Sequence, residues 1–222
     1  MPRFAALVLD VDSTLTRVEG IEWLAHRRGE GIASAVSEMT QRAMTGAVGL
    51  DTVYAQRLAL VRPSRADLAA LADAYRQGVM PGAAEAVDLL RRRGVHMEVV
   101  SGGIRQAVLP FAQSLGFTDA HVHAVSIDLT SGGEYQSFDV MSPLAKRGGK
   151  PDLVRHLRLA RPILALGDGS TDAELKTATP SPIDGFAAFT GVAARPTVVA
   201  VADYIVRRFA DLPPLVLGER VS

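Results

Sequence analysis

The sequence predicts an α/β fold: a doubly wound, Rossmann-like parallel sheet with a small helical cap inserted after strand one. Three observations carry this. The apolar run Phe4–Leu9 ends abruptly in Asp10, the pattern of a strand buried on both faces. Later apolar runs, Val95–Val100 and Pro162–Leu166, also end in polar, Gly-rich turns and alternate with helical segments. Between the first run and the next strand–helix unit lie about sixty residues of helical periodicity, too many for a crossover and suited to an inserted cap. The expected boundaries are 1–16 and 78–222 for the core and 17–77 for the cap.

The elements follow in order. In the insert, apolar residues recur at helical spacing: Ile21, Leu24 and Ala25, then Ile32, Val36 and Met39, then Val53, Leu58 and Val61. Arg62-Pro63-Ser64 interrupts the pattern, and Ser64 is suited to cap a helix from Arg65 to about Arg76. Pro81 presets φ for a helix over Gly82–Arg93, which Gly94 ends. Val95–Val100 is the second strand, followed by Ser101-Gly102-Gly103 and a helix to about Leu115. His121–Val125 reads as a third strand. Ile127–Leu129 and Glu134–Phe138 read as a hairpin about the turn Ser131-Gly132-Gly133. Lys150 opens the next helix, ahead of the strand Pro162–Leu166. Pro182–Phe186 and Thr197–Val201 are expected as late strands, with Ala202–Ile205 a weaker candidate and a loose tail from Pro213.

Composition bounds the function. Hydrophobic residues make up 48% and charged residues 22%, enough for a buried core. With 24 basic and 24 acidic residues the net charge is zero, so no overall positive field draws in nucleic acid or an anionic membrane. The absence of cysteine excludes disulfides, thiolate metal sites and a cysteine nucleophile. The first strand begins too soon for a signal peptide, and no apolar stretch approaches the roughly 18 residues of a membrane span. The expectation is a soluble, cytoplasmic protein.

The chemistry is read from the strand ends. Asp10 and Asp12 follow strand one, Ser101-Gly102-Gly103 follows strand two, and Asp168 and Asp172 follow the Pro162–Leu166 strand. In a parallel sheet these turns share one edge, within reach of Lys150. Clustered carboxylates without His or Cys call for a hard cation, which points to Mg2+. A Ser-Gly-Gly turn before a helix offers N–H groups and a hydroxyl to an anion, with the helix dipole behind it. A lysine, a cation site and an anion site together suit phosphoryl transfer, with one aspartate as nucleophile and the other as proton donor.

These motifs, DxDST, SGG, a lysine and GDGxTD, resemble the haloacid dehalogenase superfamily. The segments Asp12–Gly20, Val36–Val48, Arg57–Ser64 and Gly133–Asp139 further resemble its phosphoserine phosphatase branch, so the likeness spans nearly the whole chain. The resemblance implies an Mg2+-dependent phosphomonoesterase that hydrolyses O-phospho-L-serine through an aspartyl-phosphate, the last step of L-serine biosynthesis. It implies Asp10 as nucleophile and metal ligand, and Asp12 as general acid/base that ligates the metal through its carbonyl. Asp168 would be a direct metal ligand and Asp172 would hold the metal's water shell. Ser101 and the Gly102 amide would bind phosphate beside Lys150, with Thr171 also at the substrate site. Glu19 would receive the substrate ammonium, Arg57 its carboxylate, and Met44 would line the serine pocket. Family members commonly form homodimers, which extends that expectation here.

One position departs from the branch: Leu50 stands where members often carry an aromatic residue. That keeps open phosphohomoserine, another small phosphomonoester, or transfer to an acceptor alcohol; a non-catalytic phosphate-binding regulator is disfavoured by the presence of both acids. Arg147-Gly148-Gly149-Lys150 lacks the first Gly of a nucleotide P-loop and is followed by Pro151, so it is not one. His121 and His123 share a strand face but suggest no third ligand, and they read as solvated or packed side chains.

Overall fold

The computed structural model describes residues 2–44 and 50–219. The first strand, β1 (Ala6–Leu9), leads into a tight turn, Val11–Leu15, and then into four helices: α1 (Gly20–His26), α2 (Glu30–Met44), α3 (Leu50–Val61) and α4 (Arg65–Gln77). Helix α5 (Ala83–Arg92) precedes β2 (His96–Ile104), and α6 (Arg105–Ser114) precedes β3 (Val122–Val125). A hairpin, β4 (Ile127–Leu129) and β5 (Tyr135–Phe138), follows; then come α7 (Gly149–Leu157), β6 (Ile163–Gly167) and α8 (Ser170–Thr177). The chain closes with β7 (Gly185–Phe189), α9 (Pro196–Val199), β8 (Tyr204–Val206) and α10 (Leu212–Leu217).

The six long-range strands form one sheet in the order β3-β2-β1-β6-β7-β8, and every pairing in it is parallel. From β1 the connections run outward through β2 to β3; from β6 they run the opposite way to β8. Right-handed crossovers in opposite directions place their helices on opposite faces, which is the doubly wound arrangement. The direction reverses between β1 and β6, so the crevice beyond the carboxyl ends of those two strands is where a ligand fits. Leu9 lies level with both Val99 and Leu166, so Asp10 emerges at that crevice. All four residues of β1 are buried, as are all five of β6. Strands sandwiched between helical layers expose neither face, hence their continuous apolar sequence.

Helices α1–α4 leave and rejoin the sheet through one narrow passage. Thr16 bridges to Val79, the Arg17 N–H donates to the Gly78 carbonyl at 2.9 Å, and the Met80 N–H to that of Leu15 at 2.9 Å. Ser64 caps α4 as expected: its hydroxyl accepts from the Asp67 N–H at 3.2 Å, while Asp67 accepts from the Ser64 N–H at 3.0 Å. The reciprocal bonds satisfy donors that a helix start leaves unpaired. Arg28 also donates to the Asp67 carboxylate, tying the end of α1 to α4. Against the core, Tyr75 of α4 packs on Phe111 of α6, ring centres 5.6 Å apart.

Toward its end the chain departs from the sequence expectation in three places. Residues 197–201 are not a strand: Pro196 opens the short helix α9, and the last strand pairing falls to β8. Val-rich composition favours strand, but a proline without an N–H at the first position suits a helix start. The first of the expected late strands also sits three residues further on, at Gly185–Phe189 rather than 182–186. The segment from Pro213 is not loose. It forms α10, buries Pro213 and Val216, and accepts the Phe4 N–H at the Val216 carbonyl at 3.0 Å. Its apolar side chains cover the start of the sheet, a role invisible in local periodicity.

Candidate active site

Asp10 leaves β1 at the switch point, and its own N–H donates to the Leu166 carbonyl of β6 at 3.0 Å. The turn that follows places Ser13 at φ 51°, in the left-handed region, and so reverses the chain at once. That reversal returns Thr14 to the crevice, where its hydroxyl donates to Asp168 at 3.2 Å. It also sets the Ser13 hydroxyl 2.6 Å from Glu19.

Lys150, in the first turn of α7, is 4% exposed and donates to both Asp10 (2.7 Å) and Asp172 (2.6 Å). It reaches there because α7 starts hard against another loop. A Cβ on Gly149 would lie 1.6 Å from the Pro143 carbonyl oxygen, so only glycine lets the chain pass. A similar constraint acts at Gly167, where a Cβ would lie 2.2 Å from the Asp172 carboxyl carbon. Asp172 in turn accepts the Gly169 N–H at 2.9 Å at the start of α8.

Asp10, Asp168 and Asp172 are all buried, and each offers a carboxylate oxygen within 4.8 Å of the others. Burial, followed by the neighbouring Asp172, pushes the Asp10 carboxyl well above the usual carboxylate range, against the pull of Lys150. Asp168 is raised by burial and Asp172 in the same way, although Arg195 and Thr14 donate to it. Burial alone would make Lys150 easier to deprotonate, but Asp10 and Asp172 outweigh it and hold the ammonium charged. With Lys150 on Asp10 and Asp172 and Arg195 on Asp168, three carboxylates face two cations and remain short of positive charge. An all-oxygen donor set with excess negative charge fits a divalent cation.

Asp12 is half-buried and differently held. The Tyr75 hydroxyl donates to it at 2.6 Å and the Gly20 N–H at 3.2 Å. Burial raises its carboxyl to about 6 despite these two donors. A group with that value can give up a proton and take one back near neutrality.

Ser101 and Gly102 lie beside this cluster, but not as expected at a helix N-terminus. The Ser-Gly-Gly segment belongs to the last part of β2, across an irregularity between Val100 and Ile104, and α6 starts only at Arg105. The Ser101 hydroxyl accepts the Gly103 N–H at 3.0 Å. Glycines at a strand end permit this break in the ladder without side-chain conflict.

The wall formed by the α1–α4 segment carries a second polar group. Arg57 of α3 donates to Glu22 of α1 at 3.3 Å and to the Thr40 hydroxyl of α2 at 3.1 Å. Thr40 donates onward to Glu22 at 2.7 Å. Among the described residues the Arg57 Nε is buried without a hydrogen-bond partner, as is the Tyr54 hydroxyl, and the guanidinium lies 5.9 Å from the Tyr54 ring centre. Glu19 accepts from Ser13 and, at 3.2 Å, from Arg195. Burial and the nearby Asp12 and Glu22 raise Glu19 to about 8.

One cavity of about 350 Å³ joins the two groups. Asp10, Asp12, Glu19, Arg57, Ser101, Gly102, Lys150, Asp168, Thr171 and Asp172 all line it. The side chain of Met44 lies outside the described residues, as does that of Leu50. Sequence reasoning missed Glu22, Thr40, Tyr54, Tyr75 and Arg195. Glu22 stands one helical turn after Glu19 and could have been suspected from that spacing. Arg195, which donates to Asp168 at 2.9 Å, comes from the loop between β7 and α9 and carries no local signal.

The family profile of haloacid dehalogenase-like hydrolases matches residues 7–175. The chain is 39% identical over 217 residues to the phosphoserine phosphatase of Mus musculus, covering 96% of this chain and 92% of that one. It is 38% identical over 217 residues to the phosphoserine phosphatase of Homo sapiens, with the same coverage. Among solved structures, a phosphoserine phosphohydrolase-like protein from Francisella tularensis superposes with a TM-score of 0.84 at 23% identity, covering 95% of this chain and 99% of that one. At that identity the likeness is one of fold.

Proposed function

The chain belongs to the haloacid dehalogenase-like hydrolase family, and from that premise we propose that it hydrolyses O-phospho-L-serine to L-serine and phosphate with Mg2+, in the cytoplasm. The observation that carries this reading is one cavity of about 350 Å³ lined at once by the carboxylate–lysine cluster and by Arg57, whose Nε has no hydrogen-bond partner among the described residues. The first suits a phosphoryl group, the second a carboxylate, and the volume a small ligand.

Asp10 attacks phosphorus, and the P–O bond to the serine oxygen breaks as Asp12 gives that oxygen its proton. Phosphate is then attached to Asp10. Water attacks the same phosphorus, Asp12 takes the proton, and Asp10 leaves as a free carboxylate. Lys150 holds Asp10 in place and offsets charge between nucleophile and phosphoryl group. The Ser101 hydroxyl and the Gly102 amide bind phosphate oxygens, with Thr171 at the rim. Asp10, Asp168 and the Asp12 carbonyl would hold the metal, with Asp172 holding its water shell; a bound Mg2+ would neutralise phosphoryl charge in the transition state. Glu19 receives the substrate ammonium, which relieves its raised affinity for a proton. Arg57 exchanges part of its pairing with Glu22 for the substrate carboxylate.

Residues 17–77 act as the cap over this site, and the paired crossing at Thr16 and Val79 marks where it joins the core. Met44 is proposed for the serine pocket, and two such chains pair as a homodimer. The decisive experiment measures phosphate release from a panel of phosphorylated amino acids, sugars and an aryl phosphate, with and without Mg2+. Phosphoserine should lead the panel by kcat/KM and require the metal. A sugar phosphate or phosphohomoserine in first place would overturn the substrate assignment.

A further inference from the structure

Away from the cavity, four side chains converge on the sheet's edge. Glu98 of β2 is 4% exposed and lies in mid-strand, where a carboxylate is out of place. His96 Nε2 is 2.7 Å from its Oε1, and His121 Nδ1 is 3.0 Å from the same oxygen. His123 Nε2 is 2.9 Å from the other oxygen, Oε2. Burial would raise the Glu98 carboxyl, but the three imidazoles outweigh it and bring it down to about 2.

The arrangement differs from a simple neutralised charge in two respects. His96 and His121 meet at one oxygen, with their ring centres 5.1 Å apart and their ring planes at 87°. One nitrogen of each, together with Glu98 Oε1, falls within a 4.8 Å span, the spacing of ligands around one ion. His123 meanwhile engages only Oε2. That is the place of a residue that orients a ligating carboxylate and leaves Oε1 to the ion. The site is reachable, since the side chains of His96 and His121 are 44% and 42% exposed while that of Glu98 is 5%. It also lies at the opposite end of β2 from Ser101: His96 opens the strand, roughly 17 Å away at the usual rise per residue.

We propose that His96, Glu98 and His121 form a binding site for a borderline divalent transition-metal ion of the Zn2+ type, with His123 as the residue that positions Glu98. Two nitrogens and one oxygen select such an ion over Mg2+, which prefers oxygen alone. The site is separate in place and in donor chemistry from the carboxylates of the cavity. An ion bound by His96 Nε2, His121 Nδ1 and Glu98 Oε1 takes the place of the two hydrogen bonds to Oε1. An ion held there links β2 to the turn that opens the edge strand β3, and it stabilises that margin of the sheet.

The test uses the full chain saturated with Mg2+, so that the carboxylate site is already served. Imidazole nitrogen resonances are followed by NMR during titration with Zn2+. His96 and His121 should shift together and saturate at one equivalent, with His26 and His156 unmoved. Co2+ should give a visible absorption band with the same stoichiometry. His121→Ala should lose the band, and His123→Phe should weaken Zn2+ binding about 10–100-fold, the usual cost of losing a residue that orients a ligand. The proposal fails if His96 and His121 do not shift together in the wild-type chain, a result independent of whether any variant folds. It also fails if a folded His121→Ala chain binds Zn2+ as tightly as wild type.

Discussion

The cavity has two walls, and their charges are placed by different means. On the sheet side, Asp10, Asp168 and Asp172 are buried and fixed by adjoining strand ends, glycine contacts and Lys150. On the helical side, Glu22, Thr40 and Arg57 come from three helices, are partly exposed, and hydrogen-bond to one another while the Arg57 Nε finds no partner among the described residues. The sheet wall holds unrelieved negative charge, while the helical wall holds a pairing that a ligand can exchange. On the proposed reading, chemistry that must not move sits on the rigid scaffold, and recognition sits where partners can be swapped.

The largest test of that contrast is Asp10→Asn. It should lower kcat by more than about 10³-fold, as loss of a nucleophile does, while circular dichroism shows an unchanged fold. Substantial turnover in this variant would break the assignment of chemistry to the sheet wall. Arg57→Ala should act differently. It should raise KM for phosphoserine about 10–100-fold, the cost of charge-assisted hydrogen bonds, and leave an aryl phosphate within a few-fold. Equal losses on both substrates would make the helical wall part of the chemistry.

Stability should separate the walls as well. Asp10 and Asp168 bind protons more tightly in the fold than in an unfolded chain. Their contribution to stability is therefore present below the unfolded value, about pH 4, and lost as pH rises through their raised values. A divalent cation should restore it. At a hundred times its dissociation constant, Mg2+ should raise the thermal midpoint by about 5–10 °C at pH 7.5 and by much less at pH 4.5. A shift as large at pH 4.5 would deny the carboxylates their part. The smallest expected effect lies on the helical side. Ser64→Ala removes a cap worth about 1 kcal/mol and should lower the midpoint by about 2–4 °C with kcat unchanged.

Much of the site could be read in the chain because its residues lie at the ends of strands. An apolar run broken by acids marks both a buried strand and the crevice beyond it, so Asp10, Asp168 and Asp172 were legible without a structure. Ser64 was legible for a similarly local reason, since a cap acts on the next three residues. The late strands were not, because Val-rich segments suit strand and helix alike until a partner strand decides. Tyr75 and Arg195 were illegible for another reason. Tyr75 reaches Asp12 across 63 positions and Arg195 reaches Glu19 across 176, and nothing local marks either residue.

The cluster about Glu98 shows where the two kinds of information divide. His121 and His123 lie two positions apart, and on sequence alone a pair of histidines suggests no site. Parallel pairing of β2 with β3 brings Glu98 and His96 beside them. By itself the sequence determined the sheet's composition, the acids at its edge and the helical insert, because burial and turn chemistry are written within a few residues. Only the tertiary structure decided which distant side chains share a charge, how raised or lowered each carboxyl stands, and that the two walls meet in one cavity. Those depend on distances between groups far apart in the chain, and electrostatic energy and burial are functions of those distances.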